Sequence, residues 1–450
     1  MVRASVCVSV VCGMAALPGA MPPARAAVGC MIVGTEPLPK GAQGDAARAF
    51  VAQFLDDGED SVRVFEEQYR SGASRSVPLT ERIQRMKQMR RDFGRLEVTE
   101  VLESTPASLT CIARDARDRV VLLDFVFSKT EAGRVEGVQL GVGDESIRPQ
   151  LLTPPQVDEV VERVCRALEA EYVFPEVAAR MAAAARERLE AGEYHQHPLE
   201  TTLARRLTED LRAVSGDKHL GVRVSARRPD SAEGAVGMGD GAAQNYGFKR
   251  VEVLPGNVGY VRFDGFFEGE GARRAASAAM QFVSGCDAVI FDLRHNGGGS
   301  PEQIRFITSY LYEEPTHLND MVDRAGKVVE EYWTLKDVPG RRLKAGIPVY
   351  VLTSGYSFSG AEEFTYNLKN LGRATVIGET TGGGAHPVKG VRINDRFVIG
   401  VPYMRARNPI SGSNWEGTGV SPDIEVAADA ALDEALEHAR NRLGGGAGPR

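Results

Sequence analysis

Four short apolar runs in the second half of the chain, Gly259–Phe263, Ala288–Leu293, Val349–Leu352 and Ala374–Gly378, constrain the fold more than any other feature. They are too short for helices. The stretches between them, Gly271–Val283, Pro301–Leu311 and Gly360–Leu371, carry apolar residues at helical spacing. Strands that are apolar on both faces and alternate with helices predict a mainly parallel sheet, covered by helices and joined by right-handed crossovers. The expected class is therefore α/β, and in such sheets the functional groups gather on loops beyond the carboxyl ends of the strands.

Those loops are where the chemistry-bearing residues fall. Val349–Leu371 reads as a buried strand, a turn through Ser354, Gly355 and Tyr356, and a helix. Ser359 lies at the hand-over, where a hydroxyl on a tight turn meets the unpaired amides of a helix start, the arrangement acyl transfer needs. The competing role for Ser357 and Ser359 is helix capping. The strand Ala288–Leu293 runs into DLRHNGGGS, whose glycines let backbone amides approach a ligand; the spacing fits neither a Walker loop nor a dinucleotide fingerprint. Two further glycine-rich loops, GETTGGGAHP (Gly378–Pro387) and NPISGSNWEGTGVSPDIEV (Asn408–Val426), carry His386 and Glu416. Earlier, SGDKHLGVRV sets His219 between the end of a helix and a strand. A serine, two histidines and a glutamate on loops suffice for a base-activated nucleophile, whatever their chain order.

The remainder of the chain is less specific. Arg3, the run VCVSVVCGMAAL, Pro22-Pro23 and Ala24-Arg25-Ala26 have the pattern of a secretory signal (1–26) with cleavage after Ala26, which predicts export, most simply to a bacterial periplasm. Arg25 interrupts the apolar run before Cys30 and argues against lipid anchoring there. No stretch has the length of a stable membrane span, and a formal net charge of −7 argues against a nucleic-acid partner. After cleavage four cysteines would remain, Cys30, Cys111, Cys165 and Cys286, open to three disulfide connectivities. None has metal-site spacing, and neither a metal nor a cofactor is expected. Residues 41–146 read as three helices followed by four extended segments, a small α+β domain of unknown role. Three amphipathic helices make 154–228 a helical region, a Gly/Ala-rich loop follows, 246–428 holds the α/β core, and 429–450 ends in a helix and a flexible tail.

Taken in order, DKHL, DLRHNGGG, SFSGAEEF, GETTGGGAHP and WEGTGVSPD resemble the motifs of the tail-specific (C-terminal processing) serine peptidases. The resemblance is to the branch of the interphotoreceptor retinoid-binding-protein-like proteins and the tricorn core, and it runs from about Pro154 to Val426. It implies a crotonase-like core of ββα units with a helical cap domain, and hydrolysis of peptide or protein substrates. Carried over residue by residue, Ser359 falls on the nucleophile, His219 on the general base and Glu416 on the acid completing the charge network. Gly297 and Gly298 fall on one oxyanion loop, Gly360 on the other oxyanion amide, and His386 is a possible additional member. Two positions depart from the pattern. Gly384 stands where Ser–Lys members carry their lysine, with Lys389 further on, and Lys218 stands where the tricorn-type network has a serine. The gap between His219 and Gly259 is too short for the peptide-binding PDZ domain of many members. The rival implied by the same resemblance is a non-catalytic binder of apolar, retinoid- or fatty-acid-like ligands.

Overall fold

The computed structural model describes residues 37–55, 58–72, 79–225 and 241–444, and the chain divides into two compact units after Arg148. The signal segment, Cys30 and most of the Gly/Ala-rich loop lie outside the described residues. In the first unit helices α1 (Ala42–Ala52), α2 (Asp60–Gln68) and α3 (Leu79–Phe93) precede strands β1 (Leu96–Ser104), β2 (Ser108–Asp115), β3 (Val120–Phe127) and β4 (Val135–Gly143). The strands form one antiparallel sheet in sequence order. Phe50 and Phe65 reach from the helices into the core, and Phe50 meets Phe125 of β3 edge-on at 5.5 Å.

The second unit begins with α4 (Pro154–Glu171), α5 (Pro175–Glu190) and α6 (Glu200–Ser215). The start of α4 is written locally: two prolines open the helix, and Gln156 Oε1 accepts the amide of Thr153 at 2.8 Å. The end of α6 is equally local. Gly216 takes the left-handed conformation (φ 72°) that stops the helix and throws Asp217–His219 outward before β5 (Gly221–Val224). Then come β6 (Phe248–Leu254), β7 (Val258–Phe263), α7 (Glu270–Val283), β8 (Ala288–Asp292), α8 (Pro301–Thr308), β9 (His317–Val322), β10 (Val328–Trp333), β11 (Val349–Thr353), α9 (Gly360–Asn370) and β12 (Thr375–Gly378). The chain continues through β13 (Val388–Arg392), β14 (Phe397–Pro402), β15 (Arg405–Arg407), β16 (Ile424–Glu425) and α10 (Ala431–Gly444).

The principal sheet has the order β16-β12-β11-β8-β7-β6 and is parallel except for the β6–β7 hairpin at its edge. Successive side chains of each apolar strand serve opposite faces. Val289 and Phe291 of β8 pack with Met280, Ile304 and Phe364 of α7, α8 and α9, whereas Ala288 and Ile290 pack with Ala431, Ala435 and Ala439 of α10. The fold is mixed α/β, as the alternating pattern predicts.

Two small sheets were not apparent from the sequence. One joins β13, β14 and β5; the other joins β10, β9 and β15. The first closes the helical region, because Phe397, Ile399 and Val401 of β14 enter the core formed by α4, α5 and α6. The chain thus returns to that region late, and the core of the helical part is not built from 154–228 alone. Cys111, Cys165 and Cys286 are all buried free thiols, so the disulfide option is not taken up among them. Burial pushes the thiols up, to about 12 at Cys111 and about 11 at Cys165, which leaves them unreactive. Among the described residues no helix is long and apolar enough to cross a membrane.

Candidate active site

The turn between β11 and α9 is held rigidly by the loop that follows β8. Ser354 Oγ donates to the carbonyl of Arg294 at 2.5 Å, Ser357 Oγ to that of Leu293 at 2.7 Å, and the amide of Phe358 to that of Asn296 at 3.1 Å. Ser354 and Ser357 are therefore structural. So are Asp292 and Arg294: the carboxylate pairs with the guanidinium and accepts Tyr260 Oη at 2.6 Å, fixing the start of the glycine loop. Ser359 then emerges at φ 54°, ψ −119°, a conformation that L-residues rarely adopt. Such strain costs on the order of 1–3 kcal/mol and persists only where the surroundings impose it.

Glu362, one turn into α9, is fully buried and acts as the clamp. Its carboxylate accepts the amide of Ser359 (2.7 Å), Thr381 Oγ1 (2.6 Å) and the amides of Gly383 (2.6 Å) and Gly384 (2.9 Å). Burial pushes this carboxyl up to about 7 against the pull of those donors. The clamp ties the GETTGGG loop to the serine. The glycine loop closes the other flank. A Cβ on Gly298 (φ 103°) would lie 2.6 Å from the amide nitrogen of Gly360 and 2.8 Å from Ser359 Cβ, so only glycine fits there.

His219 approaches from the helical side. Its ring lies against that of Phe358, centroids 4.7 Å apart, and over Gly384, where a Cβ would come within 2.6 Å of His219 Cε1. The absence of a side chain at Gly384, where some relatives of the motif carry lysine, is what admits the imidazole. Burial drives His219 down to about 4, partly opposed by the charge of Asp217. Asp217 accepts the backbone amide of His219 (3.0 Å), His386 Nδ1 (2.7 Å) and Tyr172 Oη (3.1 Å). Burial works to raise the Asp217 carboxyl, but the bond from His386 and the neighbouring imidazoles hold it below the usual range. Glu416 takes the amide of Ala385 at 2.6 Å and lies 3.5 Å from His386 Nδ1; burial raises its carboxyl.

The structure thus brings Ser359, Gly298 and Gly360 together on one side and His219, His386 and Glu416 on the other, with Phe358 and Gly384 between. One expectation changes. The amide of Gly298 is already donated to Asn296 Oδ1 at 2.8 Å, so it has no hydrogen left for an oxyanion. Among the described residues, the amides of Gly297 and Gly360 meet no acceptor. Lys389 is engaged elsewhere, in an ion pair with Glu171 at 2.5 Å and over the ring of Tyr403. Asp217 is the residue that sequence reasoning passed over. It stood two positions from His219 in a turn, and its partner His386 is 169 positions away. The carboxylates of Asp217 and Glu416 and a ring nitrogen of His219 all lie within 4.8 Å of one another, a grouping of metal-binding types that no spacing in the chain announced.

Comparison with known proteins agrees with these motifs. Residues 257–426 match the model described as peptidase family S41, and residues 151–243 match the N-terminal domain of peptidase S41 in eukaryotic IRBP. The chain is similar to the tricorn protease of Thermoplasma volcanium, 29% identical over 161 residues, covering 34% of this chain and 14% of that protein. It is also similar to the tricorn protease of Thermoplasma acidophilum, 27% identical over 175 residues, covering 35% and 15%. The chain spans about one seventh of the length of these relatives. Among solved structures, the photosystem II D1 C-terminal processing protease aligns at 17% identity with a TM-score of 0.42, over 65% of this chain and 98% of that one. The two family matches together take in more than half of the 450 residues, and the chain belongs to peptidase family S41.

Proposed function

We propose that the protein is an exported serine peptidase in which Ser359 attacks the carbonyl of a peptide or protein substrate. The observation that carries the reading is the backbone of Ser359, held at positive φ on a turn pinned from three sides. A residue serving only as a helix cap has no need of that strain. His219 takes the hydroxyl proton and returns it to the leaving amine. Its imidazole is neutral over most of the pH range and so ready to accept. Asp217 fixes the main chain of His219, and His386 lies between Asp217 and Glu416 with its Nδ1 proton facing both carboxylates. His219 Nδ1 and Glu416 Oε1 are both shut off from solvent without a hydrogen-bond partner. A small closure on substrate binding would join this donor and acceptor and complete the charge network. The amides of Gly360 and Gly297 are the donors on offer for the tetrahedral oxyanion.

A fluorophosphonate probe tests this directly. The folded protein should be labelled once, on the peptide containing Ser359, with labelling absent in Ser359→Ala and sharply reduced in His219→Ala. Absence of labelling together with saturable fatty-acid or retinoid binding, unchanged by Ser359→Ala, would replace the peptidase with the apolar-ligand binder. Export rests on the pattern of residues 1–26. Mass analysis of the secreted protein should find an N-terminus near Ala27, and an intact leader there would reject it.

A further inference from the structure

We infer that Asp217, His219 and Glu416 form an inhibitory site for a divalent transition cation of the Zn²⁺ type. This site assignment stands on geometry, while its effect on catalysis rests on the peptidase reading above. Each of the three residues offers one ligand atom, and all three atoms lie within 4.8 Å of one another. Around a tetrahedral ion with bonds near 2.0–2.2 Å, ligand atoms sit roughly 3.3 Å apart, so modest side-chain adjustments close the set. One imidazole and two carboxylates suit Zn²⁺ and its neighbours and offset its charge.

The second, independent observation is the pair of atoms without partners. His219 Nδ1 and Glu416 Oε1 are inaccessible to solvent and make no hydrogen bond, although buried polar atoms are almost always satisfied. Meanwhile the opposite edges of the ligands are already braced. Tyr172 and His386 hold Asp217, and the amide of Ala385 holds Glu416 Oε2. Outer hydrogen bonds of this kind orient metal-binding carboxylates. A cavity of about 690 Å³, lined among others by Tyr172, Phe174, Asp217, His386 and Glu416, gives an ion a path to the carboxylates. An ion held on His219 Nδ1 confines the ring proton to Nε2, the nitrogen that must accept from Ser359, and prevents the contact between His219 and Glu416. Occupancy and catalysis therefore exclude one another.

The test uses the full mature chain and separates binding from activity. Zn²⁺ is titrated into the Ser359→Ala protein in competition with a chromophoric chelator. One saturable site per chain is expected, weakened at least ten-fold by Glu416→Gln and, separately, by Asp217→Asn, and unchanged by Lys389→Ala. In the wild-type protein the same Zn²⁺ range should suppress fluorophosphonate labelling of Ser359, and a chelator should restore it. No saturable site, or a site that neither carboxylate variant weakens by more than two-fold, overturns the assignment. Binding that leaves labelling intact overturns the inhibition. If Ser359 is unlabelled even without Zn²⁺, the peptidase reading fails, and the binding titration still decides the metal site.

Discussion

Glu362 and Glu416 are both carboxylates drawn into the interior of one site, and burial raises both, yet their surroundings differ completely. Glu362 receives four donors, from Ser359, Thr381, Gly383 and Gly384. Glu416 receives the single amide of Ala385, and its other oxygen has no partner. The Ser359 half of the site is thus closed and rigid. The base half is braced from behind but open toward His219. A strained serine needs the first arrangement, since a conformation costing energy survives only when its neighbours over-determine it. An imidazole that must take and return a proton needs room to shift, and the second arrangement leaves it.

The largest effect expected from breaking the closed half is at Ser359 itself. Ser359→Ala should lower peptide hydrolysis by at least about a thousand-fold, as for loss of a nucleophile in other serine hydrolases. Thermal melts sharpen the comparison. Ser359→Gly should be at least as stable as Ser359→Ala, despite the greater unfolded-state freedom of glycine, because only glycine adopts φ 54° without steric cost. A markedly less stable glycine variant would remove the strain argument.

On the open half, His219→Ala should cost roughly 10²–10⁴-fold in kcat, the usual worth of a general base, while Lys389→Ala retains most activity. The pH profile of kcat/KM carries more information. An unperturbed histidine would give an acid limb near 6.5, but burial places this one near 4, so activity should persist through pH 5 and fall as pH drops through about 4. Stability follows the same group. Between about 4 and 6.5 the unfolded chain binds a proton that the folded one does not, so His219 adds stability as pH rises through that window. An acid limb at 6.5 that vanished in Lys389→Ala would return the mechanism to a Ser–Lys pair.

How much of this was legible differs between the halves for a physical reason. The nucleophile junction is local: an apolar strand, a turn and a helix follow one another, and short-range patterns reveal them. The helix signals around Thr153 and Gly216 are local too, and the structure places those ends accordingly. The base half is assembled from groups far apart in the chain, Asp217 with His386 and Ala385 with Glu416, and no periodicity reports such pairings. Strand β9, His-Leu-Asn-Asp-Met-Val, was missed because its polar residues are buried. Asp320 is satisfied there by His317 of the same strand and by Arg407 of β15, and the second partner is invisible in the strand's own sequence. Gly298 shows the limit of motif transfer: its position beside Ser359 agrees with the oxyanion expectation, but the side chain of Asn296 consumes its amide.

A smaller effect should follow from loosening the brace on the base. In Asp217→Asn one carboxylate oxygen becomes an amide nitrogen that cannot accept from His386 or Tyr172. The expected loss is on the order of ten-fold in kcat, equivalent to about one pKa unit of lost interaction, with KM little changed. In the proposed mechanism Asp217 acts through His219 rather than on substrate, so the pH profile is the diagnostic measurement. The charge of Asp217 holds the His219 pKa up, and its removal should move the acid limb lower still. A purely structural role would leave that limb where it was.

The smallest expected effect is a change in slope rather than in rate, and it tests the closed half where it appears most complete. Glu362 has its carboxyl pushed up to about 7 from the ordinary 4.5. Between those values the folded protein holds a proton there that the unfolded chain has released. Stability contributed by this group is therefore full below about pH 4.5 and declines as pH rises toward 7, a swing of about 3 kcal/mol. Glu363, equally buried and also pushed up to about 7, adds a decline over the same range. In Glu362→Gln the first contribution disappears while that of Glu363, and the opposing rise from His219 below about 6.5, remain, so the fall in denaturation midpoint from pH 5 to 7 should become distinctly shallower. Above about pH 7, where the wild-type group is ionised, the variant should also be less stable, because each carboxylate oxygen accepts two donors and the new amide nitrogen faces two of the four, at a cost of about 1–3 kcal/mol for each donor left unpaired. An unchanged slope would show that Glu362 stays ionised on folding, and that its four hydrogen bonds outweigh the burial of its charge.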